Sequence, residues 1–250
     1  MMDKVNILGV NIDKVTMNEA INRVMGFLDS DKLNTVYTPN PEFIMNARDD
    51  EEFKKILNEG DLVIPDGIGV VYASRILGNP VSERVPGYEL TENILKGIKD
   101  KKYTAYFLGS KGDTAKLAAE NMMQKYTGLK VAGYRDGYFK VEEEERIIDE
   151  INRLEVDYLV VGLGSPKQEQ FIYRNKQKLK VKVAIGNGGT LDIMAGKVKR
   201  APVIFQKLGL EWLYRLLKEP TRFKRMLKLP QFMWIVIMTK NKEQRTKNKV

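Results

Sequence analysis

The sequence predicts an α/β fold: a mainly parallel β-sheet with helices on both faces, followed by a C-terminal helical appendage. Three observations carry this. Short apolar runs alternate with segments of helical period, cap signatures stand at helix starts, and the excess positive charge is confined to the end of the chain.

The elements follow in order. Val5–Leu8 reads as a first short strand and is followed by a turn. Thr16-x-x-Glu19 opens the first helix as a capping box, in which each side chain satisfies a backbone N–H left over at the helix start. Leu33–Tyr37 is the next strand. Asn40-Pro41-Glu42 then opens a helix with an N-cap, a proline at the first helical position and an acid in the first turn. Further strands are expected at Leu62–Ile64, Tyr103–Leu108, Lys130–Tyr134, Tyr158–Val161 and Val181–Ile185, with helices over Thr114–Tyr126, Glu142–Leu154 and Lys167–Leu179. Strands that alternate with helices in this way form a parallel, Rossmann-like sheet, because each crossover helix returns the chain to the same sheet edge direction.

The 250 residues contain neither cysteine nor histidine. Disulfides, thiolate nucleophiles, cysteine metal sites and imidazole general bases are thereby excluded. Chemistry must rest on carboxylates, amides, hydroxyls, lysine, arginine or backbone. No run approaches the ~20 apolar residues of a membrane span. The N-terminus also lacks the apolar core of a signal peptide. The expectation is a cytoplasmic protein, peripheral or monotopic at the cytoplasmic face of the membrane.

Residues 197–250 carry 15 Lys/Arg against 3 Asp/Glu, whereas residues 1–196 carry 27 against 30; together they make the net charge of +9. The expected division is a catalytic body over 1–196 and a basic, amphipathic, membrane-associating appendage over 197–250. In the latter, bulky residues such as Ile204, Phe205, Trp212, Phe232 and Trp234 mix with Lys/Arg, as in segments that lie in a lipid interface. Packing of part of it on the body is the other reading. Arg215, Arg222 and Arg225 are spaced by seven and three, which puts them on one face of a continuous helix, although Pro220 could kink it. That face could meet an acceptor diphosphate.

Ligands of parallel sheets bind beyond the carboxyl ends of the strands, so the loops there hold the candidate site. Thr38 and Asn40 in Thr38-Pro39-Asn40-Pro41 offer a hydroxyl and an amide, and Asn40 also fits a plain helix cap. Asp66 in Pro65-Asp66-Gly67-Ile68-Gly69 ends an apolar strand and is either a turn aspartate or the general base of a histidine-free enzyme. Arg84, in the loop before a helix, suits a diphosphate leaving group. Gly164 lies in Gly162-Leu163-Gly164-Ser165-Pro166-Lys167, which is neither a full dinucleotide fingerprint nor a Walker loop but could offer backbone amides to phosphate. Gly186, Asn187, Gly188 and Gly189 free the backbone to wrap an anion, and Asp192 could accept from ribose hydroxyls. Asp29-Ser30-Asp31 reads as a solvated turn, and no metal-ligand cluster is visible. Neither a metal nor another cofactor is expected.

The ordered string of these motifs resembles the WecG/TagA/CpsF glycosyltransferases. It runs from Thr38–Asn40 through Pro65-Asp66-Gly67, Arg84-Val85-Pro86-Gly87, Gly162–Glu169 and Gly188–Asp192, and then through Ala195–Pro202, Leu210–Leu216 and Glu219–Arg225. The resemblance covers most of residues 1–230. It implies transfer of a sugar, typically N-acetylmannosamine from its UDP form, to undecaprenyl-diphosphate-linked N-acetylglucosamine, as in teichoic-acid linkage-unit synthesis. It further implies inversion at the anomeric carbon with Asp66 as base, Thr38, Asn40 and Gln168 orienting the substrates, and Arg84 with an arginine of the tail offsetting charge on departing UDP. Tyr138 could stack on uracil or belong to the core. The partners implied are the UDP-sugar, the lipid-diphosphate acceptor and an anionic membrane surface. No nucleic acid is expected, and a homo-oligomer is left open. The alternative from another class is an RNA-binding or RNA-modifying α/β protein with a basic tail. The acidic body and the apolar content of the tail weigh against it.

Overall fold

The computed structural model describes residues 3–218, 223 and 227–247. The chain opens with a hairpin, β1 (Lys4–Ile7) and β2 (Val10–Asp13), which pair antiparallel and apart from the main sheet. The expected first strand is therefore not part of the parallel sheet. Leu8 (φ 51°) and Gly9 (φ 93°) both take the left-handed conformation, making the tight turn that suits a twisted hairpin.

There follow α1 (Met17–Phe27), β3 (Asn34–Tyr37), α2 (Pro41–Asp49), α3 (Glu51–Asn58), β4 (Leu62–Val63), α4 (Ile68–Ile76), α5 (Gly87–Ile98), β5 (Thr104–Gly109) and α6 (Thr114–Lys125). Next are β6 (Lys130–Arg135), a 3₁₀ turn over Val141–Glu143, α7 (Glu144–Arg153), β7 (Tyr158–Gly162), α8 (Lys167–Arg174), β8 (Val183–Gly186) and α9 (Thr190–Met194). The C-terminal part adds α10 (Val203–Lys207), α11 (Glu211–Lys218) and α12 (Lys228–Lys247). The capping box at Thr16 and the Asn40 cap with Pro41 behind it form as expected. Helix α8 stops at Arg174 rather than Leu179, where the Asn175 amide turns back to the Phe171 carbonyl (2.9 Å) and to Glu144 (3.0 Å).

The main sheet has six parallel strands in the order β4-β3-β8-β7-β5-β6. Side chains alternate between its faces. Tyr37, Tyr106, Leu108, Leu159 and Val161 join a core formed with the hairpin, α2–α4, α7 and α8. Val36, Ala105, Phe107, Tyr158 and Val160 join another with α1, α5, α6 and α9. Both faces are thus covered, and the strands read as continuous apolar runs for that reason. Helix α12 packs on α2 and α4, and its Phe232 and Val236 are fully buried in the first of these cores. Its other side leaves Trp234, Ile237 and Met238 exposed. Among the described residues no helix is long and apolar enough to cross a membrane.

Candidate active site

Strands β4, β3 and β8 are neighbours, and the loops leaving their carboxyl ends converge on a cleft with a cavity volume of about 190 Å³. After β3, the Asn40 side-chain oxygen Oδ1 accepts from the N–H groups of Glu42 (2.9 Å) and Phe43 (3.2 Å), so the amide is fixed at the cleft wall by its capping role. After β4, Asp66 is held by its own N–H to Ile64 O (2.9 Å). Gly67 enters α4 at φ 91°, and a Cβ on Gly69 would stand 2.6 Å from Pro41 Cγ, so only glycine lets these two loops close together.

Arg84 is brought to Asp66 by a backbone bond: Val85 N donates to Pro65 O at 3.0 Å. Its guanidinium Nη2 lies 4.0 Å from Asp66 Oδ1 and donates to Glu211 Oε2 at 2.8 Å. Burial works against the charge on Arg84, but the carboxylates of Asp66 and Glu211 more than offset it and hold its pKa above the ordinary arginine value. The β8 loop supplies Asn187, Gly188 and Gly189. Asn187 donates from its backbone to Val161 O (2.9 Å) and from its amide to Thr91 Oγ1 (3.0 Å). The start of α5 approaches it so closely that a Cβ on Gly87 would meet that amide at 2.9 Å.

The cleft therefore gathers Asn40, Asp66, Arg84, Asn187, Gly188 and Gly189 of the residues singled out in the sequence. Others lie behind it. Thr38 is buried, and its hydroxyl donates to Gly186 O at 3.0 Å, tying β3 to β8. Gln168 is fully buried: its Oε1 accepts from Gly164 N (3.1 Å) and its Nε2 donates to Glu169 Oε1 (2.7 Å). It braces the β7 loop against the β8 loop, since a Cβ on Gly188 would meet Gln168 Oε1 at 2.9 Å and Gly164 Cα at 3.2 Å. Glu169 is buried beneath these loops, and burial pushes its pKa up to about 7. Tyr138 is 76% exposed and stands outside the cleft wall, as does Asp192, whose carbonyl accepts from Lys197 N and Val198 N. Arg215 belongs to α11, with its side chain outside what is described; Arg222 and Arg225 lie outside the described residues.

Glu42, Tyr88, Arg200, Glu211 and Trp212 also line the cleft, and none of them was singled out as a site residue in the sequence. The last three come from beyond residue 196, so the C-terminal elements complete the wall. The turn between α10 and α11 reaches it through Gly209 (φ 70°), where a Cβ would lie 2.8 Å from Ile68 Cγ1. Among the described residues no group of three or more acidic side chains gathers as a metal site.

The profile of the Glycosyl transferase WecG/TagA/CpsF family matches residues 5–246. The chain is 36% identical over 211 residues to the N-acetylglucosaminyldiphosphoundecaprenol N-acetyl-beta-D-mannosaminyltransferase of Bacillus spizizenii strain W23, covering 84% of this chain and 81% of that one. It is 34% identical over 246 residues to the protein of the same name from Staphylococcus aureus strain MRSA252, covering 98% and 96%. With a parallel α/β sheet, a strand-end cleft holding Asp66 and Arg84, and a match over nearly its whole length, the chain belongs to the WecG/TagA/CpsF family of glycosyltransferases.

Proposed function

We propose that the protein transfers N-acetylmannosamine from UDP-N-acetylmannosamine to undecaprenyl-diphosphate-linked N-acetylglucosamine, with inversion at the anomeric carbon. The transferred sugar and the acceptor are those in the names of its relatives, and the UDP form of the donor is what the family resemblance implies. The observation that carries the mechanism is the placement of Asp66 4.0 Å from Arg84 in one cleft with the Gly188–Gly189 loop. Asp66 takes the proton of the acceptor hydroxyl as its oxygen attacks the anomeric carbon. The bond from that carbon to UDP breaks in the same displacement, and Arg84 meets the charge on the departing diphosphate. A single displacement needs one base and no covalent intermediate. Asn40 orients a substrate from the cleft wall, whereas Thr38 and Gln168 act by holding the loops on which the contacts sit. Asp192 and Tyr138 stand outside the cleft wall.

Residues 197–250 serve in this reading as the membrane-associating appendage, placing the enzyme peripherally where the lipid acceptor resides. Val203, Ile204, Leu208, Leu217 and Trp234 are exposed, and apolar side chains amid basic ones favour an anionic lipid interface. Release of UDP from a panel of UDP-sugars, with a lipid-diphosphate acceptor in vesicles, tests the proposal. UDP-N-acetylmannosamine is expected to be the preferred donor. Preference for another sugar would replace the donor assignment, and no release from any donor would remove the reading.

A further inference from the structure

A second guanidinium lines the cleft beside Arg84. Arg200 donates from Nη2 to Glu89 Oε1 at 2.8 Å, and its guanidinium lies 4.8 Å from the centroid of the Tyr88 ring. The two arginines are alike in their settings. Each side chain is 20% exposed, and each spends Nη2 on one carboxylate, Glu211 for Arg84 and Glu89 for Arg200. In each, the Nε–H is buried with no hydrogen-bond partner among the described residues. A guanidinium has five donors in a rigid fork and no acceptor, and a buried donor left unmatched is costly. The cleft wall thus carries two fork-shaped cations, each with donors beyond the Nη2 given to its carboxylate, and this suits an acceptor that carries several anionic oxygens.

The surroundings narrow the class. Glu89, the partner of Arg200, is near enough to Arg84 to raise its pKa, so the two guanidinium groups share one electrostatic field. Gly189 lines the same cleft, and a Cβ built there would meet nothing within 4 Å. Open space bordered by two planar, fork-shaped cations suits a chain of two phosphates, which offers oxygens on separate centres.

We propose that Arg200 is a second diphosphate-binding residue, which pairs with Arg84 to clamp the diphosphate of a substrate in the cleft. The proposal rests on the glycosyltransferase reading given above, under which donor and lipid acceptor both carry a diphosphate. The stack on Tyr88 and the Glu89 contact hold the plane of Arg200 in place, so lysine cannot substitute for it: an ammonium keeps the charge and loses the fork.

Calorimetry on the full chain with UDP, inorganic pyrophosphate and uridine tests the clamp, and the KM for the lipid acceptor distinguishes the two sources of diphosphate. Arg200→Lys is expected to weaken UDP and pyrophosphate about tenfold or more while leaving uridine unchanged. Glu89→Gln, which keeps the guanidinium and removes a neighbouring negative charge, is expected to tighten UDP binding rather than weaken it, as is removal of the Glu211 charge beside Arg84. If UDP binds normally to Arg200→Lys and the acceptor KM rises about tenfold instead, the clamp stands and the diphosphate it holds is the acceptor's. Unchanged affinities together with an unchanged acceptor KM would overturn the proposal. So would equal losses of affinity and melting temperature in Arg200→Lys and Glu89→Gln, which would make Arg200 a structural pin. Failure of the unmodified chain to use any UDP-sugar would sink the functional reading but leave the pyrophosphate result to stand by itself.

Discussion

Arg84 and Glu211 are hydrogen-bonded at 2.8 Å although they lie 127 positions apart, so the loop beside Asp66 and the start of α11 are fastened together at the cleft wall. Glu211 occupies the same guanidinium that a diphosphate would engage, and two anions facing each other there repel. Glu211→Gln is therefore expected to tighten UDP binding by roughly threefold or more. Calorimetry with UDP reads this directly; unchanged or weaker binding would show that the carboxylate does not compete.

Asp66→Asn keeps the size and most of the hydrogen bonding of the side chain but cannot take a proton. Turnover should fall by roughly 100-fold or more, with UDP affinity nearly intact. Single-turnover kinetics beside equilibrium binding separates the two effects, and near-normal turnover would move the base elsewhere.

The positive charge in the cleft is supplied by arginines, which suffices to meet a departing diphosphate. Turnover is accordingly expected to survive excess EDTA. Loss of activity on chelation, restored by magnesium or manganese, would reveal a metal dependence that these side chains do not explain.

Glu169 provides a pH signature of stability. Its pKa is 4.5 in an ordinary setting and is pushed up to about 7 by burial, so the folded protein holds a proton that the unfolded chain has already lost between these values. This stability is fully present below the lower value and is lost as pH rises through the upper one. The melting temperature of Glu169→Gln should thus fall less than that of the unmodified chain between about pH 5 and about pH 8. Parallel melting curves would exclude the effect.

Phe232 is fully buried where α12 meets α2 and α4. Phe232→Ala should cost about 3–5 kcal/mol and release α12 to proteases. Deleting residues 197–250 is expected to abolish liposome binding and sugar transfer, and also to lower the melting temperature of what remains. A truncated body that melts as the full chain does would show that α12 adds nothing to the core.

Most of the main-sheet strands were legible because they are apolar runs closed by turn residues, with both faces of the sheet covered. The hairpin was not, because Leu8-Gly9 reads simply as a turn after one strand, and only the pairing of Lys4 with Asp13 reveals the second. Asp66 was legible from its strand-end position between proline and glycine, and Arg84 from its place in the loop just before a helix. Arg200 and Glu211 lie in stretches that carry the family resemblance, but their place in the cleft comes from the approach of the C-terminal elements. Gln168 was expected to orient the substrates; in the fold both ends of its amide are engaged by the protein's own groups, so any such role acts through the loops it braces.

The order of the strands also has a consequence for synthesis of the chain. Strand β3 receives its inner neighbour β8 late: Thr38 and Gly186, joined by a hydrogen bond across the two strands, are 148 positions apart. At ordinary rates of translation this interval lasts on the order of 10–30 s. Throughout it, β3 has only the short β4 beside it and presents a bare edge. The cleft cannot exist on a nascent chain that ends before β8, so the enzyme acquires its binding loops and its protection from edge-to-edge aggregation in the same late event.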